Sequence, residues 1–246
     1  MNSTCWNNVT KPPWRKQSNG GEQALAAFET RIAKDSQAII NSSAEFLFGL
    51  LNNGNQLYAN YHQQTASATR KAAEVDNDRH RCGAEGVLFG TLAAKISYAA
   101  LTLDNKGLVS YGKCAMILKD ITMRHKATVL EENSYDFVKR HRIVPGDKLP
   151  VGYWTDWPNR AQLAIAKLAV QIQTDSQDFA SVLLFSNGDR AQDRFIEVHI
   201  YGGFDRQAIA AIALPAKKRQ KGMERTYLNC IKDYAENHNI PYSNYD

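Results

Sequence analysis

Apolar and polar positions recur with two different periods along this 246-residue chain, and the change of period divides it. Residues 1–20 show no period. They are polar, contain Pro12-Pro13 and Gly20-Gly21, and read as a flexible arm that Trp6 and Trp14 tack onto the body. From Glu22 to about Val75 the spacing is helical. Ala, Gln, Leu and Glu dominate, proline is absent, and Ser42-Ser43-Ala44-Glu45 is a capping box ahead of Phe46-Leu47-Phe48. Asn52-Asn53-Gly54-Asn55 breaks that stretch, and a third helix carries Leu57, Tyr58 and Tyr61. The small-residue run 84–102 predicts a fourth helix, closed by the turn Asp104-Asn105-Lys106-Gly107.

Beyond residue 108 the period shortens towards two. Strands are predicted over 109–119, 126–130 and 181–185, with a proline- and glycine-bearing loop over 143–157. Asp156 and Pro158 open a helix that runs to about Gln173, with Leu163, Ala164, Leu168 and Ile172 on one stripe. Ser186-Asn187-Gly188-Asp189 is a turn. The segment 194–201 alternates without a fault: Ile196, Val198 and Ile200 face one side, and Phe195, Glu197, His199 and Tyr201 face the other. Asp205 caps a helix over 206–214 that Pro215 stops, a last helix covers 223–237, and Tyr242–Asp246 read as a frayed end. The layout is α+β, with a helical region over 21–108 followed by an α+β core over 109–246.

Composition is that of an ordinary globular chain, 43% hydrophobic and 22% charged. Cys5, Cys82, Cys114 and Cys230 form no CxxC pair, and the six histidines show no metal-ligand spacing, so buried free thiols and no metal centre are expected. No apolar run has the length of a membrane span, and the first residues lack the apolar stretch of a secretory signal, which points to the cytoplasm. Net charge is only +5, but cations cluster at 79–81, at 139–142 and over Lys217, Lys218, Arg219, Lys221 and Arg225. Such clusters suit phosphates, and equally a solvated face. No Walker loop is present.

The strand 194–201 holds the most informative chemistry. Alternation puts a carboxylate and an imidazole on one side, flanked by two aromatics, over an otherwise aliphatic back face. The pattern fits a half-exposed strand, and it fits a cleft wall where Glu197 meets a developing positive charge.

The segment FIEVHIYGGFDRQAI resembles the last-strand segment of toxin- and phage-associated ADP-ribosyltransferases, in which a catalytic glutamate on a strand is followed by glycine and a capped helix. SYGKCAMILKD, KATVLEENSYDF and PVGYWTDWPNRAQLAIAKLA are similar to further parts of that group, so that the likeness spans about residues 110–214. Two departures stand out. Residue 195 is Phe where many members carry Glu or Gln, and the Ser-Thr-Ser strand of arginine-targeting toxins is absent, Ser134 being the nearest hydroxyl. The resemblance implies a split β-sheet core with helices and NAD as the substrate. It implies Glu197 as the group that steadies the ribosyl cation, and His199 as orienter or base for the acceptor. For the dinucleotide it implies Tyr98, Tyr111, Gly112 and Ser134, with Arg124, His125 and Lys126 as cations for the pyrophosphate. The implied acceptor is a macromolecule, RNA or protein. An antitoxin partner and a toxin or phage-defence role follow by the same analogy, and the lack of a long apolar run implies no membrane association. A basic nucleic-acid-binding or nuclease module without NAD chemistry is the competing reading of the cation clusters.

Overall fold

The computed structural model describes residues 21–54, 56–68, 76–216 and 222–245, with the side chains of 76–80 set aside. The arm over 1–20 and the cations at 217–221 lie outside these residues. Among the described residues the helices are α1 (Gly21–Asp35), α2 (Ala44–Asn52), α3 (Tyr61–Ala66), α4 (Asp76–Phe89), α5 (Asp120–Met123), α6 (Ser134–His141), α7 (Arg160–Leu168), α8 (Phe179–Leu183) and α9 (Gly222–Asn237). The strands are β1 (Gln37–Ser42), β2 (Ile96–Thr102), β3 (Cys114–Leu118), β4 (Ala127–Leu130), β5 (Trp154–Asp156), β6 (Glu197–Tyr201), β7 (Ile209–Pro215) and β8 (Tyr242–Tyr245). They form one sheet in the order β5-β4-β6-β2-β1-β3-β7-β8. The protein is α+β.

Alternation along the central strands separates two apolar layers. Ile40, Ala99, Leu101, Cys114, Met116, Leu118, Ile196, Val198, Ile200, Ile212 and Leu214 meet the buried stripes of α1, α2, α7 and α9. Their neighbours Ile39, Ala100, Ala115, Ile117, Phe195 and Ala213 turn to the opposite face, under Leu108 and Leu184. On α1 the spacing Ala24, Phe28, Ile32 supplies one buried stripe; on α9 Leu228, Ile231, Ala235 supplies another.

The sheet opens in its middle. β1 and β2 pair antiparallel over only Gln37–Thr102, Ala38–Leu101 and Ile39–Ala100. Past that point β1 continues against β3 through Ser42–Cys114, while the first half of β2 continues against β6, with Tyr98 opposite His199 and Ala100 opposite Glu197. The two strands diverge like the arms of a Y, which is the split that the resemblance implied.

Several elements differ from the sequence-based expectation, for one recurring reason. Residues 37–42 and 96–102 sit within stretches of helical composition yet form β1 and β2, and 209–215, expected as helix, form β7. Ala38, Ala99, Ala100 and Ala213 are buried in the sheet, where a small side chain lets a layer approach closely; tertiary pairing overrides alanine's local helix preference. Asp205 does cap a helical start, accepting from Gln207 N at 2.9 Å, but the turn lasts only over Arg206–Ala208 before β7 pairs with β3. The expected strand 181–185 is instead α8, capped by Asp178, with Phe185 left to bridge Arg194 across the following turn. The expected loop 143–157 ends in β5. The expected frayed end is β8, parallel to β7. Of the thiols, Cys114 is buried, Cys230 partly so, and Cys82 exposed.

Candidate active site

The arms of the Y frame a cavity of about 910 Å³, within the usual range of small-molecule sites. Ile39–Ser42 of β1 and Tyr98–Ala100 of β2 line it from the split itself. Glu197 stands on its wall one strand further on, 5% exposed. A carboxylate this enclosed must be hydrogen-bonded, and α6 supplies the partners. Its N-terminal turn points at the carboxylate: Ser134 N donates to Glu197 Oε1 at 3.2 Å, and the Ser134 hydroxyl donates to the same oxygen. Asn133 caps the helix by accepting from Tyr135 N at 2.9 Å and offers Nδ2 to Glu197 Oε2 at 3.4 Å. The positive end of the helix dipole therefore faces an anion. Oε2 carries only that long contact and has acceptor capacity left for a ligand.

His199 is fully buried and is not part of the cavity wall. Its Nε2 lies 2.8 Å from Glu197 Oε1 and 3.3 Å from Ser134 Oγ. Phe89, Tyr98 and Trp154 pack around its ring, with centroids 4.8, 5.4 and 5.1 Å away. A proton on Nε2 makes the bond to Glu197 and leaves Nδ1 without a partner. His199 therefore sits behind Glu197 and does not reach the cavity.

Arg81 is the cation at the split. Its Nε donates to Glu85, a carboxylate only 1% exposed, whose other oxygen lies 2.6 Å from His62 Nε2. The guanidinium lies 4.4 Å above the Tyr98 ring. Burial works against its charge, but Glu85, with Tyr98 and Glu197 adding to it, outweighs burial and holds the pKa above the ordinary arginine value. With Nε committed to Glu85, the terminal nitrogens are free for an anion. The Tyr98 hydroxyl is buried with no partner, and burial raises its pKa. Tyr111, also on the wall, is pushed up to about 12, by burial first and then by the charge of Glu197.

The residues expected from sequence divide accordingly. Tyr98, Tyr111, Ser134 and Glu197 meet at the cavity, and His199 supports them. Gly112 does not line it. A side chain there would come within 2.3 Å of the Ser42 backbone, so its bareness lets the 106–112 loop pack on β1. Arg124, His125 and Lys126 lie elsewhere. Glu197 is opposite Leu130 at one end of β4, whereas these three precede Ala127 at the other. Arg124 pairs with Asp120 at 2.6 Å, and Lys126 Nζ donates to Gly203 O at 3.0 Å. Arg81 and Arg190 are the cations that line the cavity among the described residues. The i,i+4 spacing of Arg81 and Glu85 on a helix was the available signal for the first. In the 139–142 cluster, Arg140 is bound to Glu131 and Glu132, and His141 packs on Phe137 and Tyr153.

No protein-family model matches this chain, and no characterised protein matches it in sequence. Solved structures resemble it in fold, two of them as follows. Thermus sp. 2.9 DarT in complex with carba-NAD+ superposes with a TM-score of 0.44 at 13% identity, over 87% of this chain and 96% of that one. Thermus sp. 2.9 DarT in complex with ADP-ribosylated ssDNA gives a TM-score of 0.47 at 12% identity, over 86% and 95% of the two chains. At these values the likeness assigns no role to any residue of this chain.

Proposed function

We propose that this chain is a mono-ADP-ribosyltransferase that cleaves NAD and passes the ADP-ribosyl group to a nucleic acid. The observation that carries the reading is the setting of Glu197. It is a nearly buried carboxylate, oriented by Ser134 and His199, with one oxygen left to the cavity and an anion-ready arginine in the same space. NAD asks for these two charges at once. Breaking its nicotinamide–ribose bond leaves positive charge on the sugar carbon, which a fixed carboxylate stabilises without reorganising. Its pyrophosphate asks for a guanidinium, and Arg81 has two nitrogens to offer. Tyr98 and Tyr111 supply aromatic faces for the flat rings. His199 keeps Glu197 aimed, which is a positioning task. A role as a toxin or defence effector held in check by a partner protein, in the cytoplasm, accords with the resemblance of the 110–214 segments.

Nicotinamide release and transfer of label from NAD to RNA, single-stranded DNA or protein test the proposal. Glu197→Gln keeps the size of the side chain and removes its charge. Release should fall about a hundredfold or more, the loss typical when one charge-stabilising group is removed. Wild-type protein that releases no nicotinamide with any of these acceptors would sink the reading. Salt-sensitive RNA binding in that same preparation would leave a nucleic-acid-binding module in its place.

A further inference from the structure

Arg81 faces a carboxylate that takes less of it than it could. Glu85 sits one turn further along α4 and is 1% exposed, so its oxygens must find partners within the protein. Arg81 Nε donates to Oε1. An arginine beside a carboxylate often pairs twice, with two N–H groups side by side against the two oxygens. Here the second oxygen belongs to another group. His62 Nε2 lies 2.6 Å from Glu85 Oε2, and because a carboxylate only accepts, that nitrogen carries the proton.

His62 reaches Glu85 from a separate element. It is the second residue of α3, whose cap Asn60 is 4% exposed and donates from Nδ2 to Ala94 O at 2.9 Å and to Ile96 O at 3.0 Å, at the entry to β2. Reciprocal bonds between Asn60 and Gln63 close a capping box around that start. The imidazole meets the buried Tyr61 ring edge-on, with 5.7 Å between centres. Arg81 and Glu85 line the cavity, and His62 stands behind them.

We propose that His62 is a positioning residue for the cation of this site: by occupying Glu85 Oε2 it limits Arg81 to one bond with Glu85 and keeps the terminal nitrogens for the diphosphate of the dinucleotide. The inference rests on the NAD reading of the cavity and gives His62 and Glu85 a task in it. The physical reason is competition. Without the imidazole, Oε2 would be an unmet acceptor on a buried carboxylate, which is costly. Arg81, already bonded to the other oxygen, has the donors to meet it. The guanidinium would close on Glu85 as a two-point pair, and a ligand would have to win back the nitrogen so engaged. A purely structural histidine would act otherwise. Its loss would lower stability and would change ligand affinity to the same extent whether or not Arg81 is present.

ADP-ribose is the probe, since it carries the same diphosphate and has no nicotinamide bond to break. Calorimetric titration of the intact wild type, His62→Ala, Arg81→Ala and the double variant forms a cycle. His62→Ala should weaken ADP-ribose binding about fivefold, within the worth of one net hydrogen bond. In the Arg81→Ala background the same change should move binding by less than about twofold, because the residue it acts through is gone. His62→Gln, whose amide can place a donor near the position of Nε2, should bind within about twofold of wild type. With NAD, His62→Ala should raise KM about fivefold and leave kcat within about twofold, since Glu197, Ser134 and His199 are untouched.

Equal weakening in the two backgrounds overturns the proposal, as does His62→Gln binding no better than His62→Ala. A measurement on wild-type protein stands even where a variant does not fold. In nitrogen NMR the Arg81 Nε signal should hold its position as ADP-ribose is added while the terminal-nitrogen signals move, and an Nε that shifts with them overturns the single-bond arrangement. The wider reading fails separately. ADP-ribose binding with this coupling but no nicotinamide release overturns NAD cleavage alone. Nicotinamide release without the coupling overturns the role of His62 alone, and wild type that does not bind ADP-ribose overturns both.

Discussion

Oε1 of Glu197 is occupied by Ser134 and His199, and Oε2 is nearly bare. This inequality makes one carboxylate both fixed and available: the crowded oxygen sets the angle and the bare one meets the ligand. Arg81 shows the same economy, with Nε given to Glu85 and the remaining nitrogens to the cavity. In the proposed reaction its contribution is to ground-state binding of the charged pyrophosphate of NAD. Arg81→Ala should therefore raise KM for NAD about tenfold, the loss of roughly one charge-assisted hydrogen bond. Lys126→Ala, at the far end of β4, should leave KM within about twofold. Steady-state nicotinamide release over a range of NAD concentrations separates the two, and equal effects would refute the assignment of the cation. Glu197 was legible in the sequence because strand alternation is local. The cation proposed here was not: Arg124, His125 and Lys126 adjoin β4 at the end away from Glu197, and among the described residues Arg81 lines the cavity instead.

Two elements hold the site through contacts that sequence spacing does not reveal. Lys167, on α7, reaches the sheet and donates to Glu131 O and, at 2.9 Å, to Phe195 O. It thereby ties the end of β4, which leads into the Asn133-Ser134 cap, to the residues that lead into Glu197. Burial lowers its pKa from the ordinary 10.5 to about 8, with Glu132 opposing and Arg140 and Arg194 adding to the fall. The folded state thus releases this proton before the unfolded chain does. Below pH 8 the cost of the buried ammonium is fully present, and it is relieved as pH rises from about 8 towards 10.5, where the unfolded chain holds more protons. Thermal melts of wild type against Lys167→Met should show wild type gaining on the variant over that interval, by up to about 1.4 kcal/mol per pH unit. Parallel curves would refute the shift. A neutral amine still has two N–H donors, so the tie survives the titration.

Gly112 acts on the other wall. Asn41 Nδ2 donates to its carbonyl at 3.0 Å and to Lys106 O at 2.8 Å, which draws the 106–112 loop onto β1. An added Cβ would lie 2.3 Å from the Ser42 carbonyl carbon, a contact only backbone movement can relieve. Gly112→Ala should cost about 1–3 kcal/mol in stability. Gly86→Ala, on α4 with nothing within 4 Å of the new methyl, should be neutral or stabilising by up to about 1 kcal/mol. Chemical denaturation of the two variants checks the contrast.

At the scale of the whole molecule, the sheet needs its last strand. Ile212 N donates to Pro241 O at 2.9 Å, Ala216 N donates to Tyr245 O at 2.7 Å, and the Tyr245 hydroxyl donates to Lys113 O. Removing residues 241–246 would bare the β7 edge. At roughly 1 kcal/mol for each of these three hydrogen bonds, the deletion should cost about 3 kcal/mol and lower Tm by about 6–12 °C. It should also promote association through the open edge. Calorimetry and light scattering measure both, and an unchanged Tm would mean that β8 adds nothing.

Local order accounts for what could be read in advance. The two-residue alternation of β6, the stripes of α7 and α9, and the apolar runs of β3 and β4 are properties of neighbouring residues, and they stand in the fold close to where the chain pattern predicts them. Alanine-bearing β2 and β7, and β1 within its helix-like stretch, carry no such signature. They are strands because partners distant in the chain satisfy their backbone groups and cover both their faces, a free energy that no window of neighbours contains. The cavity depends on the same non-local pairing. It exists because β1 leaves β2 after three pairs, and that divergence brings Arg81, Tyr98, Tyr111, Ser134 and Glu197, scattered over more than a hundred residues, around one cavity.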